Sequence, residues 1–258
     1  MLWASSFLIA DVYAAAENFE PDFGDAPEID GDIERSKKEW ENASKEVISL
    51  SSPETTTGLP IDIWVMQNAS DLYISIQFEL LLEYRSPNEF IAIIISESDS
   101  EINTSFYDAK IVQFYDLGGP NEDYKYRDYY IVNGQFIRDD EENGEGAAKL
   151  HDEKTIYEFR IPINDSEGKD SDDVTLDFGD SYAFKIVYGE NDNYNAIQNE
   201  KSNIVQIEMQ YPEKIEEPWW KIFLFIMAII VFSLIGGLYG LYIYKILVLK
   251  KKIGRIRD

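Results

Sequence analysis

Residues 222–244, IFLFIMAIIVFSLIGGLYGLYIY, form a run of 23 residues without one charged side chain, and no other feature constrains this chain more. As a helix rising about 1.5 Å per residue the run spans roughly 34 Å, enough to cross a hydrocarbon layer about 30 Å thick. A core helix of a soluble domain is the other way to house such a run, and its unbroken apolar length weighs against that. Trp219 and Trp220 stand at one end and Tyr239, Tyr242 and Tyr244 at the other, as interfacial aromatics do. The run reads as a transmembrane helix, residues 219–245.

Charge divides along the same line. Residues 17–218 hold 16 basic and 47 acidic side chains, net −31, while residues 245–258 hold six basic and one acidic, net +5. Lys245, Lys250, Lys251, Lys252, Arg255 and Arg257 mark residues 246–258 as a cytoplasmic tail by the positive-inside pattern, with the acidic body outside the cell. The Lys250-Lys251-Lys252 cluster suits anionic lipid. Ahead of the acidic body, residues 2–10 are apolar and Val12 with Ala14, or Ala14 with Ala16, offer a cleavage site, so residues 1–16 read as a signal peptide. Asp11 interrupts the pattern and no Lys or Arg precedes the apolar stretch, so the expected start of this signal peptide lies upstream of Met1. The sequons at Asn42, Asn68, Asn103 and Asn164 all fall in the exterior part.

The same composition closes several function classes. An acidic body lacks the clustered Lys and Arg that a nucleic-acid backbone requires. There is no cysteine and one histidine, His151. Disulfides, cysteine-based zinc sites, cysteine nucleophiles and HExxH metalloenzymes are thereby excluded. No GxSxG elbow or glycine-rich phosphate loop occurs, and an abundance of carboxylates does not by itself make a glycosidase. The chain reads as a binding protein, not an enzyme.

Between residues 28 and 212 the pattern is that of strands. Ile61, Ile63 and Val65 alternate with Asp62, Trp64 and Met66, and Leu72, Ile74, Ile76 and Phe78 alternate with Tyr73, Ser75, Gln77 and Glu79. Phe90–Ser96 is a continuous apolar run suited to a central strand, with further strands over 109–115 and 129–132. Asn133-Gly134 predicts a tight hairpin into 135–138. Three more alternating sets follow: Thr155, Tyr157, Phe159 and Ile161; Tyr182, Phe184, Ile186 and Tyr188; Val205, Ile207 and Met209. Eight or nine strands with Gly, Asn and Asp loops predict an all-β, antiparallel β-sandwich plus the C-terminal helix. Only residues 35–45 have helix-like composition, and a turn or two at most is expected there. Residues 17–27 read as a linker and 213–218 as a short stalk.

Pro27-Glu28-Ile29-Asp30-Gly31, followed by Glu39-Trp40 and Ala43, resembles the opening of the family 9 carbohydrate-binding modules and the wider DOMON-like superfamily. Leu72-Tyr73-Ile74, Thr155-Ile156-Tyr157-Glu158-Phe159-Arg160-Ile161-Pro162 and Gly179-Asp180-Ser181-Tyr182-Ala183-Phe184 follow in that family's order. The resemblance covers residues 27–209. In physical terms Asp30-Gly31 is a turn needing a permissive backbone, and Trp40 is a large apolar anchor for the core.

The resemblance implies a ligand, either carbohydrate or haem. Its sugar-binding members clamp the ring between two tryptophans. In the corresponding stretches this chain offers Tyr84 and Tyr194. Its haem-binding members ligate iron through Met with His or Lys, which here points to Met66 and His151 with haem b as the alternative cofactor. Structural calcium is a further expectation, on Asp139, Asp140, Glu142, Asp170 and Asp172, although neither acidic run has DxDxDG spacing. The expected protein is a single-pass, surface-anchored module that recognises carbohydrate or surface glycan; an electron-transfer module and a ligand-free adhesion protein remain as alternatives. The Gly236/Gly240 spacing permits a homodimer through the membrane helix.

Overall fold

The computed structural model describes residues 17–33, 38–52, 58–97, 105–163, 174–196, 198–212 and 219–257. The chain divides into two units, Met1–Pro212 and Glu213–Asp258. The sequon positions Asn103 and Asn164, the segments expected as a signal peptide (1–16) and a stalk (213–218), Asp170 and Asp172 lie outside the described residues.

The first unit is a two-sheet sandwich. Its strands are β1 (Glu17–Phe19), β2 (Asp22–Phe23), β3 (Ser44–Leu50), β4 (Leu59–Gln67), β5 (Asp71–Glu79), β6 (Phe90–Ser96), β7 (Asp108–Tyr115), β8 (Asp123–Val132), β9 (Gln135–Arg138), β10 (Glu145–His151), β11 (Lys154–Pro162), β12 (Ser181–Gly189), β13 (Glu200–Lys201) and β14 (Val205–Glu208). One sheet runs β1-β14-β12-β6-β7-β8-β9 with β13 beside β12; the other runs β10-β11-β5-β4-β2 with β3 beside β4. All pairings are antiparallel except the two short edge pairs β1/β14 and β2/β4. The residues expected as a linker therefore form β1 and β2, which extend one sheet each.

Period-two patterning fixes which face each strand turns inward. Ile91, Ile93 and Ile95 of β6, Val112 and Phe114 of β7, and Phe184 and Ile186 of β12 meet Ile61, Ile63 and Val65 of β4, Ile74 and Ile76 of β5, and Tyr157 and Phe159 of β11 in one buried core. β6 is buried on both faces along its whole length, as its unbroken apolar run requires. The Asn133-Gly134 hairpin forms as expected, with φ of 51° and 75° that favour these residue types.

In the described part of residues 35–45 the expected turn forms at Lys38 to Glu41, where the Glu41 N–H donates to the Lys38 carbonyl, and β3 follows with Ile48 and Leu50 buried against β4.

The opening motif closes the outer face of the second sheet. Glu158 on β11 accepts hydrogen bonds from the backbone N–H of Asp30 (3.0 Å) and Gly31 (2.8 Å) and from Nε1 of Trp40 (3.1 Å). Trp40 is buried with Met66 and Tyr73. Gly31 has φ 77°, and a Cβ there would lie 2.6 Å from the backbone carbon of Ala148, so the position excludes a side chain twice over. One carboxylate on β11 thus ties down both the Asp30-Gly31 turn and Trp40 of the opening segment, more than a hundred residues earlier in the chain. Burial pushes its pKa up to about 8 against the pull of the three donors.

The second unit is one helix, α1 (Trp219–Arg257). Phe223–Leu249 has a mean hydropathy of 2.4 and is long and apolar enough to cross a membrane. The basic segment expected as a separate tail continues the helix to Arg257.

Candidate functional site

The outer face of the larger sheet carries a second apolar layer, Phe90, Ala92, Ile94, Ala109, Ile111 and Val187, and the 190–199 loop folds Tyr194 onto it. At the end of the sheet where β6 and β8 begin and β7 and β12 end, this layer gives way to a cavity of about 560 Å³. Its lining is Asn88, Gln113, Tyr115, Arg127, Tyr129, Arg138, Asn191, Asp192 and Tyr194. The chain leaves the sandwich beyond β14, which pairs with the start of β12 and so lies at the opposite end of that sheet.

Strand register supplies half of the lining. Gln113 and Tyr115 on β7 and Arg127 and Tyr129 on β8 occupy the outward positions, one residue out of phase with Val112, Phe114 and Tyr126, which turn to the core. Arg127 Nη2 donates to the Tyr115 hydroxyl at 3.1 Å, and Lys125 sits over the Tyr115 ring at 5.0 Å. Arg138, at the end of β9, pairs with Glu142 at 2.8 Å on the exposed rim.

Two loops supply the rest. Tyr194 donates its hydroxyl to Oε1 of Gln113 at 2.9 Å, and Nε2 of Gln113 donates to the carbonyl of Asn88 at 3.1 Å. The Tyr194 ring meets Phe90 edge-on at 4.9 Å and Tyr129 at 5.3 Å. Burial, with the Tyr129 hydroxyl beside it, raises the Tyr194 pKa far above its ordinary value, so its hydroxyl stays protonated as a donor. Asn199 fixes the loop by donating Nδ2 to the carbonyls of Asn193 and Tyr194, both at 3.1 Å.

The loop bearing Asn88 is held from below. Glu89 accepts from the hydroxyls of Tyr157 (3.0 Å) and Tyr188 (3.1 Å) and from Arg85 (2.9 Å), with both side chains of the Arg85–Glu89 pair fully buried. Burial raises the Glu89 pKa, opposed by Arg85 and the two hydroxyls. The Arg85 guanidinium also bonds Thr155 and the carbonyl of Glu153, so the loop from β5 to β6 is tied to β11. A rigid supporting shell of this kind holds polar side chains in a fixed geometry before a ligand arrives.

Of the residues expected from sequence, Tyr194 lines this cavity. Tyr84 stands in a short 3-10 turn, Leu82–Tyr84, with 64% of its surface exposed, and is not in the lining. Gln113, Tyr115, Arg127 and Tyr129 were not singled out. Their signal in the sequence is the outward phase of two strands, whereas the rim stretches offer Tyr84 and Tyr194.

The haem pair needs correction. Met66 is fully buried against Trp40 and Tyr73, and His151 is exposed at the end of β10. Register places Met66 opposite Tyr73 on β5, while His151 aligns through Lys154 with Glu79, six residues further along. Three strand steps of about 4.8 Å and six residues of about 3.3 Å separate them by some 20 Å or more, so they cannot ligate one iron.

Among the described residues no group of three or more acidic or histidine side chains is arranged to hold a metal ion. Asp139 is buried and caps a turn by accepting from the N–H of Glu141 (3.0 Å), Glu142 pairs with Arg138, and Asp140 is exposed. These three calcium candidates do not converge. Asn42 is exposed, but the side chain of Asn68 is engaged with the Tyr73 hydroxyl and the N–H groups of Ser70 and Asp71.

A second cavity, about 610 Å³, lies on the outer face of the other sheet and includes Trp64, Gln77, His151 and Lys154. Lys45 covers the Trp64 ring at 4.4 Å and is itself paired with Asp62 at 2.8 Å, and the indole N–H of Trp40 is committed to Glu158. Lys45 thus covers one face of Trp64, and Trp40 lines the cavity with its N–H already committed.

No protein-family model and no curated protein matches the sequence. Among solved structures, the chain is similar to a family 9 carbohydrate-binding module from Caldicellulosiruptor kristjanssonii in complex with cellotriose, with a TM-score of 0.47 and 13% identity over 78% of this chain and 98% of that one. It is similar also to such a module from the same organism in complex with glucose, with a TM-score of 0.47 and 14% identity over 78% of this chain and all of that one.

Proposed function

We propose that this chain is a membrane-anchored, non-catalytic module that binds carbohydrate in the cavity on the outer face of the larger sheet. The observation that carries the reading is the lining itself: three tyrosines, Tyr115, Tyr129 and Tyr194, beside planar polar groups from Asn88, Gln113, Arg127 and Asp192. Sugar rings offer apolar C–H faces to aromatic side chains and pairs of hydroxyls to planar amide, guanidinium and carboxylate groups. The buried Gln113 bridges both loops, so part of this surface is organised in advance.

The negative body favours neutral or cationic glycans over acidic ones, because a polyuronate would meet a like-signed field. The helix Phe223–Leu249 holds the module at the membrane with the basic end inside, and its Gly236/Gly240 face pairs two copies. A glycan array probed with the detergent-solubilised chain tests the ligand class. Binding to neutral glycans that is lost in Arg127→Ala supports the proposal, and an array without retained glycan overturns it. Protease accessibility on intact cells tests the orientation, since the sandwich and not the basic end is expected to be cleaved from outside.

A further inference from the structure

On the core side of the same two strands lies a charged group that sugar binding does not use. Lys110 on β7 and Asp128 on β8 are directly paired across the antiparallel ladder, and Asp108 precedes Lys110 by two residues on the same face. Their side chains are 3%, 0% and 1% exposed. Lysine and aspartate are almost never buried to this degree unless they are paired, as they are here. Nζ of Lys110 lies 2.6 and 2.5 Å from Oδ1 and Oδ2 of Asp128 and 3.2 Å from Oδ1 of Asp108. Contact with both oxygens places Cγ of Asp128 about 3 Å from the nitrogen, within near-attack range.

We propose that Lys110 and Asp128 condense to an intramolecular isopeptide bond that cross-links β7 to β8. Proton transfer within the dry pair gives an amine and a carboxylic acid, the neutral forms that a low-dielectric interior favours. Rotation about the Cβ–Cγ bond then turns the face of the acid toward Nζ. The Nζ lone pair attacks Cγ, and the backbone N–H of Asn143, which donates to Oδ2 at 3.1 Å before that rotation, is the donor offered to the developing oxyanion. Asp108 takes the second amine proton and delivers it to the departing hydroxyl. One N–C bond forms, one C–O bond breaks, and one water leaves; no oxidant or cofactor enters. Two of three buried charges are removed, and with them their desolvation cost. The bond would pin the strands whose opposite faces carry Gln113, Tyr115, Arg127 and Tyr129.

The test is peptide mapping of the denatured full-length chain by trypsin and tandem mass spectrometry. The expected product is a branched peptide in which Lys110 resists cleavage and is joined to the peptide containing Asp128, one water lighter than the two together. Asp128→Asn is expected to give the same branched peptide with ammonia as the leaving group, so that the product is one ammonia lighter than the variant's two peptides. Asp108→Ala keeps both partners and is expected to lower the cross-linked fraction at least tenfold. A linear peptide ending at Lys110 as the dominant species from the natural chain overturns the proposal and leaves the group as a buried ion pair.

Discussion

Replacing Glu158 removes the single acceptor shared by Asp30 N–H, Gly31 N–H and Trp40 Nε1–H. An orphaned buried donor costs about 1–3 kcal/mol, and the Asp30 end is open enough for water to relieve part of that, so Glu158→Ala should lose about 3–5 kcal/mol of unfolding free energy. The more discriminating variant is Glu158→Gln, which preserves shape and two of the three contacts at a cost of about 1–2 kcal/mol and abolishes titration. With a folded pKa of about 8 against an ordinary 4.5, the carboxyl is protonated in both states at low pH. As pH rises from about 4.5 to about 8 only the unfolded chain releases the proton, so stability falls across that window and levels off above it. At 1.36 kcal/mol per pKa unit the ceiling is about 5 kcal/mol. Glu89 and Glu200 shift in the same direction, so a falling wild-type curve alone is not diagnostic. Urea unfolding of residues 17–212, followed by tryptophan fluorescence at pH 5 and pH 8, should show the stability difference between wild type and Glu158→Gln move by about 3–4 kcal/mol in the variant's favour, from a small wild-type advantage at pH 5 to a wild-type deficit at pH 8. Parallel curves for the two proteins would refute the reasoning.

Three further outcomes follow from the same geometry. Tyr194→Ala should weaken glycan binding at least tenfold, about 1.4 kcal/mol or more, while Tyr194→Phe loses only the hydroxyl bond to Gln113 and should bind within about fivefold of wild type by calorimetry. Gly31→Ala combines a positive φ with a clash against β10 and should lower thermal stability by about 2–4 kcal/mol in a melting experiment, whereas Gly134→Ala, with open space around it, should cost about 1 kcal/mol. Gly236→Ile with Gly240→Ile should abolish resonance energy transfer between labelled helices in bilayers if the small-residue face pairs two copies.

The sandwich was legible because its central strands announce themselves. Phe90–Ser96 is apolar on both faces, and β4, β5, β11 and β12 each carry apolar residues at every second position on the core side. What escaped was carried by partners remote in sequence. β3 follows a helix-like stretch and is fixed by β4; β10 begins inside an acidic run read as a metal loop and is fixed by β11. Trp40 was placed in the core correctly, but that Glu158 would receive its indole could not be read from either segment. The cavity lies between these cases. Tyr194 stood out as a rim aromatic, while Arg127 and Tyr129 were hidden in a strand whose outward residues looked like ordinary solvated positions, and only the 190–199 loop folding back over β6 makes that face concave. Met66 and His151 show the opposite failure: both residue types suited iron, but composition gives no separation, and the register puts them far apart.

The most direct test of the central claim is isothermal titration of the solubilised chain with a neutral oligosaccharide retained on the array, repeated with Arg127→Ala and with Lys154→Ala, which lines the other cavity. Saturable binding that is lost in Arg127→Ala and unchanged in Lys154→Ala is the expected result. Binding that survives Arg127→Ala would contradict the assignment of the carbohydrate site to the outer face of the larger sheet.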